Sequence, residues 1–349
     1  MPGTVNFADW SLSWSIPSLT GEGLVISSAY FKGTSVLFRA GAPFVLVPYH
    51  GNSPTFKDGL GHQGAPFTKV KPTAPNAPSW QVPPSQWATN DDQYDPVANP
   101  GGAVMVEKVP ADLLEPARVD IWAKLQCANY QYVHRWVFQA DGTIHAEVGL
   151  GGQLWTTNPA TMGHIHNFYF RLDFDIAGAA NNLVQRFAHK GNNPGDDQWL
   201  DINFESKETA DPTTFTKWRV INKTPKPNGL YRSYELIPGS DGAPDGLYTS
   251  ASTYSRGDLW VVRYKSGAED GVDVDVADDV LTTKYVNGEA VNGQDVVVWY
   301  CLRHHHQPRQ LGEETIVVPY EFLGFHVEPR DFVDGTIKNL YPTTPPSPF

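Results

Sequence analysis

Five histidines in two short runs carry the clearest chemistry in this 349-residue chain. His164-Ile165-His166 sets two imidazoles two residues apart. On an extended strand both point to the same side, so one metal ion can be chelated between them. His304-His305-His306 offers further donors, but neighbours on a strand alternate sides, so the three cannot all face one ion. Imidazoles gathered from two strands suit copper or zinc. By spacing alone two readings stand, a chelating cluster or partly exposed polar side chains. A carboxylate pair follows the first run: in Phe-Tyr-Phe-Arg-Leu-Asp-Phe-Asp-Ile, residues 168–176, alternation puts Arg171, Asp173 and Asp175 on one face. Cys127 and Cys301 form no metal motif by spacing and no disulfide framework, which leaves two buried thiols or a single bridge.

The elements that must position these groups read as strands. Val133 to Phe138 is apolar and aromatic, Asp141-Gly142 is a turn signal, and Thr143 to Val148 resumes alternation, which predicts a β-hairpin. Val296 to Leu302 is a continuous apolar run suited to a strand buried on both faces. Leu259 to Tyr264 and Thr315 to Phe325 read as further strands, and Ala111 to Glu115 is the best helical signal. Residues 50–100, rich in Pro, Gly, Asn and Ser, read as long loops over the sheets. Tyr341 to Phe349, with four prolines, reads as a tail after a single domain over 1–340. With 11 Trp, 15 Tyr and 17 Phe there is material for a large core, and 31 Gly and 29 Pro spread along the chain fit many strands joined by turns. The expected class is all-β, a large β-sandwich.

A formal net charge of −12 argues against a nucleic-acid partner, because phosphate binding needs clustered Lys and Arg. No apolar run reaches membrane-spanning length, so no membrane partner is expected. Met1 to Trp14 has neither a basic start nor an apolar stretch of the secretory type, and the expectation is a cytoplasmic protein. One glycosylation sequon, Asn222-Lys223-Thr224, matches by pattern.

The segment His164-Ile165-His166-Asn167-Phe168-Tyr169-Phe170-Arg171-Leu172-Asp173-Phe174-Asp175 resembles that of the copper amine oxidases, where an H-x-H pair leads into an F-R-L-D-x-D strand. Val297-Val298-Trp299 followed by His305-His306-Gln307-Pro308-Arg309 resembles the segment that supplies that family's third copper histidine. Trp10 to Tyr49, ending in Val47-Pro48-Tyr49, and Gly324 to Phe332 resemble its entry strands and closing segment. The resemblance spans nearly the whole chain and implies the family's catalytic β-sandwich. It implies copper on His164, His166 and His306, with His304 and His305 as neighbours. It also implies a second site for calcium or a similar hard cation on Asp173, Asp175 and Asp295, with the backbone carbonyls of Phe174 and Val296; oxygen donors of this kind suit calcium. For Asp173 and Asp175 the plainer reading is carboxylates solvating a sheet face.

In this family a tyrosine beside the copper is oxidised to topaquinone within an N-Y-[acid]-Y motif. Asn129-Tyr130-Gln131-Tyr132 is similar and makes Tyr130 the implied precursor. Tyr49 resembles the tyrosine that hydrogen-bonds the quinone. The family's catalytic base is an Asp in a Gly-rich segment after that tyrosine. Here Asp58 is the only carboxylate in residues 50–62 and comes earlier than the family spacing predicts, so Asp58 is either the base or an ordinary turn residue. Gln131 replaces the usual acid, Gln126 stands where a small hydroxyl residue is common, and the stretch from Gly149 to His164 is shorter than the arm that reaches over a partner subunit. The small N-terminal domains of typical members are not found, and a homodimer is implied by analogy alone.

The resemblance implies an oxidoreductase that converts a small primary amine and dioxygen to aldehyde, ammonia and hydrogen peroxide. The departures frame two alternatives: a repurposed enzyme on the same scaffold without quinone chemistry, running a cyclisation, isomerisation or other oxidation, and a non-catalytic metal-binding module.

Overall fold

A computed structural model describes residues 3–17, 22–49, 55–59, 66–72, 82–152, 163–189, 191, 197–211, 215–239, 257–265, 286–306 and 318–334. The first part of the chain forms β1 (Gly3–Phe7), β2 (Trp10–Ser15), β3 (Val25–Phe31), β4 (Thr34–Pro48), β5 (Thr55–Gly59), β6 (Thr68–Val70) and β7 (Val104–Val109). The middle forms β8 (Arg118–Cys127), β9 (Tyr130–Gln139), β10 (Ile144–Gly152), β11 (His164–Phe174), β12 (Asn182–His189) and β13 (Asp197–Ile202). The rest forms β14 (Ser206–Glu208), β15 (Trp218–Asn222), β16 (Ser233–Ile237), β17 (Leu259–Arg263), β18 (Val296–His306) and β19 (Val318–Arg330).

Two large sheets result. One runs β1-β2-β3-β4-β11-β18-β17-β14, with β5 beside β4. The other runs β13-β12-β15-β16-β19-β10-β9-β8-β6, with β7 beside β8. Their inward faces share one core that includes Trp10, Trp14, Trp136, Phe138, Phe168, Phe170 and Phe325, all buried. This is the all-β sandwich expected. β11 lies in the middle of the first sheet, and all eleven of its residues are buried. Val296–Leu302 is likewise buried throughout, because a second cluster that includes Phe44, Tyr169, Trp260 and Trp299 covers the outer side of that sheet.

The predicted hairpin is β9–β10. Thr143 N–H donates to Asp141 Oδ1 at 2.9 Å, and Gly142 at φ +98° takes the left-handed step that glycine alone makes at little cost. Leu259–Arg263 and the described part of Thr315–Phe325 are strands as read. The helix expected over Ala111–Glu115 is instead a turn: Asp112 Oδ1 accepts from the N–H groups of Leu114 and Glu115 at 2.7 and 2.9 Å. Leu113 and Leu114 are exposed, so five residues have no apolar face to bury and cannot offset helix nucleation. Within residues 50–100, the described part includes strand β5, which pairs with β4, where only loop was expected.

The sequon asparagine is not a glycan acceptor as folded. Asn222 is buried, with Nδ2 donating to Ile176 O at 2.6 Å and Oδ1 accepting from Thr224 N at 2.9 Å. Cys127 and Cys301 are separate buried thiols on different sheets, not a bridge. No described helix is long and apolar enough to cross a membrane. The tail, Gln307-Pro308-Arg309 and most of the short stretch before His164 lie outside the described residues.

Candidate functional site

β11 and β18 pair antiparallel with His164 opposite His306 and His166 opposite His304. Residues facing each other across antiparallel strands share a side, so this register turns four imidazoles inward and sends His305 to the other face. Three converge. His164 Nε2 lies 3.0 Å from His166 Nε2 and 3.2 Å from His306 Nδ1. His304 turns away, its Nε2 3.1 Å from Glu321 Oε2 on β19. His164 and His166 are fully buried, and His306 is half-buried.

This donor set fits a metal ion. Two nitrogens each about 2 Å from one ion lie roughly 3 Å apart. Burial, then the neighbouring His164, His306 and His304, hold the His166 pKa well below the usual imidazole value, so its lone pair is free of a proton. A neutral imidazole carries one N–H, so the clustered nitrogens have few protons to share; a cation gives every lone pair the same partner.

Tyr130 reaches this cluster from the other sheet. Cys127 pairs with Tyr130 at the end of β8–β9, joined by Ala128-Asn129, with Ala128 at φ +47°. Asn129 is therefore the half-buried turn residue that leads into the strand. Gln126 Nε2 donates to Tyr130 O at 3.0 Å and also to Ala128 O, tying the turn down. A Cβ on Gly152 would sit 2.8 Å from Tyr130 Cα, so only glycine lets β10 pass so close. Tyr130 Oη then lies 2.9 Å from His164 Nε2.

Tyr49 closes the other side. Pro48 has no N–H for the ladder and ends β4; Tyr49 follows as a single bridge to His164, with its ring stacked on that imidazole at 4.3 Å. Its Oη is 2.5 Å from Tyr130 Oη. Burial first, then Tyr49 and Asp58, push the Tyr130 pKa well above the usual phenol value, so Tyr130 is a neutral phenol here.

Asp58 is buried on β5, opposite Val45 of β4. Val45, Val47 and Tyr49 alternate onto the inter-sheet side, and Asp58 shares it with Val45. Its charge raises the pKa of both Tyr130 and Tyr132, after the larger effect of burial. Asp58 is thus a strand residue facing the tyrosines, not a surface turn.

Asp173, Asp175 and Asp295 offer oxygens within 4.8 Å of one another at the far end of β11. Phe174 and Val296, the expected carbonyl donors, are paired between them. Arg171 Nη2 donates to Asp173 Oδ2 at 3.2 Å.

Sequence reasoning missed four neighbours. Tyr132 alternates onto the same face as Tyr130, with Oη 3.4 Å from His166 Nδ1; period-two alternation from Tyr130 would have found it. Phe56 packs edge-on against Tyr49 and Phe67 against Tyr132, and no sequence signal marks them or Glu321.

The profile of the copper amine oxidase enzyme domain matches residues 120–344. The chain belongs to the copper amine oxidase family. Diamine oxidase [copper-containing] 1, peroxisomal, of Nicotiana tabacum is 26% identical over 262 residues, covering 64% of this chain and 33% of the relative. Histamine oxidase of Arthrobacter globiformis is 27% identical over 240 residues, covering 59% and 35%. The chain thus spans about a third of the length of these curated relatives. A copper-containing benzylamine oxidase from Hansenula polymorpha has the same fold, with a TM-score of 0.69 at 19% identity over 95% of this chain and 60% of that one.

Proposed function

We propose that this chain carries out copper- and topaquinone-dependent oxidative deamination of a primary amine to aldehyde, ammonia and hydrogen peroxide. The observation that carries the reading is the 2.9 Å contact between Tyr130 Oη and His164 Nε2, which sets an oxidisable phenol against the histidine cluster. Copper held by His164 Nε2, His166 Nε2 and His306 Nδ1 would, with dioxygen, supply the oxidation of the Tyr130 ring to topaquinone, whose carbonyl is the electrophile toward the amine.

The remaining roles fall to this chain's own groups. Tyr49 fixes the ring of Tyr130 through its phenol oxygen, and its stacking on His164 keeps that contact in place. Asp58 takes the α-proton of the amine, as a buried carboxylate on the inter-sheet side. Asn129 sets the turn that aims Tyr130. Tyr49, Tyr130, Tyr132 and both β11 histidines are buried, which keeps bulk water from the reacting ring. Overall the amine gives up two electrons and two protons, the α-proton and one from its nitrogen; dioxygen takes both electrons and both protons as hydrogen peroxide, and water releases aldehyde and ammonia.

Asp173, Asp175 and Asp295 are the proposed holders of calcium or a similar hard cation. Burial raises the Asp173 pKa to about 7 and the Asp175 pKa to about 6, and a cation among the three would offset both the burial and their mutual repulsion.

The test is to load the protein with copper in air, analyse the Tyr130 peptide by mass spectrometry, and titrate with phenylhydrazine. A ring-oxidised Tyr130 that reacts with phenylhydrazine, followed by peroxide release from an amine, is the expected result. An unmodified Tyr130 in copper-loaded protein would overturn the reading in favour of a repurposed enzyme on this scaffold.

A further inference from the structure

A second histidine pair lies on the outward face of the other sheet. His145 of β10 and His326 of β19 are directly opposite in the antiparallel register. Their ring centroids are 4.0 Å apart and their planes are inclined at 44°. An imidazole binds a metal through an in-plane lone pair. Two inclined planes meet along a line where one ion can lie in both, which parallel stacked rings forbid. His326 is exposed and His145 half-buried, so an ion can enter from solvent.

We propose that His145 and His326 form a cross-strand site for a borderline first-row divalent cation of the zinc or nickel class. Imidazole donors suit these ions, and water would complete the coordination. The charges around the pair permit a cation. Arg135 faces it but is held by Asp120 Oδ2 at 2.5 Å and Glu147 Oε2 at 3.1 Å. Arg118 is held by Glu115 and by Asp120 Oδ1. Asp141 and Glu147 add carboxylates that act on His145 and with His326, respectively. Burial, then His326, lowers the His145 pKa to about 4, so His145 is a free base at neutral pH and needs no deprotonation to bind.

The site would clamp β19 to β10, the strand whose Gly152 end lies against Tyr130. It shares no residue with the buried cluster and does not rest on the deamination reading.

The experiment is zinc binding to the copper-loaded full chain, read as zinc per chain by equilibrium dialysis with elemental analysis and as the change in melting temperature. Wild type, His326→Gln and His145→Gln are compared. Wild type should take up one zinc per chain more than either variant at matched free zinc, with affinity for that zinc weakened more than about 10-fold in each variant. Zinc should raise the melting temperature of wild type and not that of His326→Gln, since binding to the folded state alone stabilises it. Equal zinc uptake and equal melting shifts in wild type and His326→Gln would overturn the proposal. His326 is exposed, so its variant keeps the fold and decides the matter even if His145→Gln does not.

Discussion

The phenol oxygens of Tyr49 and Tyr130 stand 2.5 Å apart although 81 residues separate them in sequence and they belong to opposite sheets. Tyr130 Oη also touches His164 Nε2, so one atom is shared between a tyrosine brace and a histidine cluster. Tyr49→Phe removes the brace and keeps the ring on His164. It should leave copper content unchanged and slow the appearance of a phenylhydrazine-reactive group at Tyr130, measured by absorbance after copper is added in air. An unchanged rate would mean that Tyr49 only packs.

Asp58→Asn keeps the shape of the side chain and removes its capacity to take a proton. Steady-state amine oxidation should fall by on the order of 10²–10⁴-fold, while phenylhydrazine still titrates Tyr130 fully. Retention of amine turnover would assign the base elsewhere.

The carboxylates of Asp173 and Asp175 have folded-state pKa values of about 7 and about 6, raised chiefly by burial. Between the unfolded value of roughly 4 and these values the folded state binds more protons than the unfolded one, so stability falls as pH rises through that window. Urea denaturation in chelator should show lower stability at pH 7.5 than at pH 5, to the extent of these two groups. Calcium should restore stability at pH 7.5, and Asp295→Ala should abolish that restoration. A calcium response that survives Asp295→Ala would exclude this trio as its site.

His134 works in the opposite direction. It is buried, both ring nitrogens lack a hydrogen-bond partner among the described residues, and burial lowers its pKa to about 3. Between about 3 and the unfolded value of 6.5 the unfolded state binds the extra proton, so stability is lost as pH falls through that range. His134→Leu removes the titration. Its urea midpoint should fall less between pH 7 and pH 4.5 than that of wild type; an equal fall would show that other groups govern the acid limb.

Strand-level chemistry was legible from sequence because it depends on backbone geometry that each segment carries alone. The two-residue spacing of His164 and His166, the shared face of Asp173 and Asp175, the buried run Val296–Leu302 and the hairpin around Asp141-Gly142 all follow from period-two alternation and turn chemistry. The short helical signal at Ala111–Glu115 failed because propensity over five residues cannot outweigh an Asx turn with nothing to pack against.

What the tertiary structure decided is which side chains meet. Nothing local selects His306 over His304, since both share a face of β18; Glu321, reaching over from the second sheet, draws His304 away. Nothing in residues 50–62 marks Asp58 as buried; pairing of β5 with the end of β4 turns it toward the tyrosines. Tyr130 meets His164 only because two sheets stack face to face. Sheet order and inter-sheet packing are fixed by burial summed over the whole core, and no single segment holds that information.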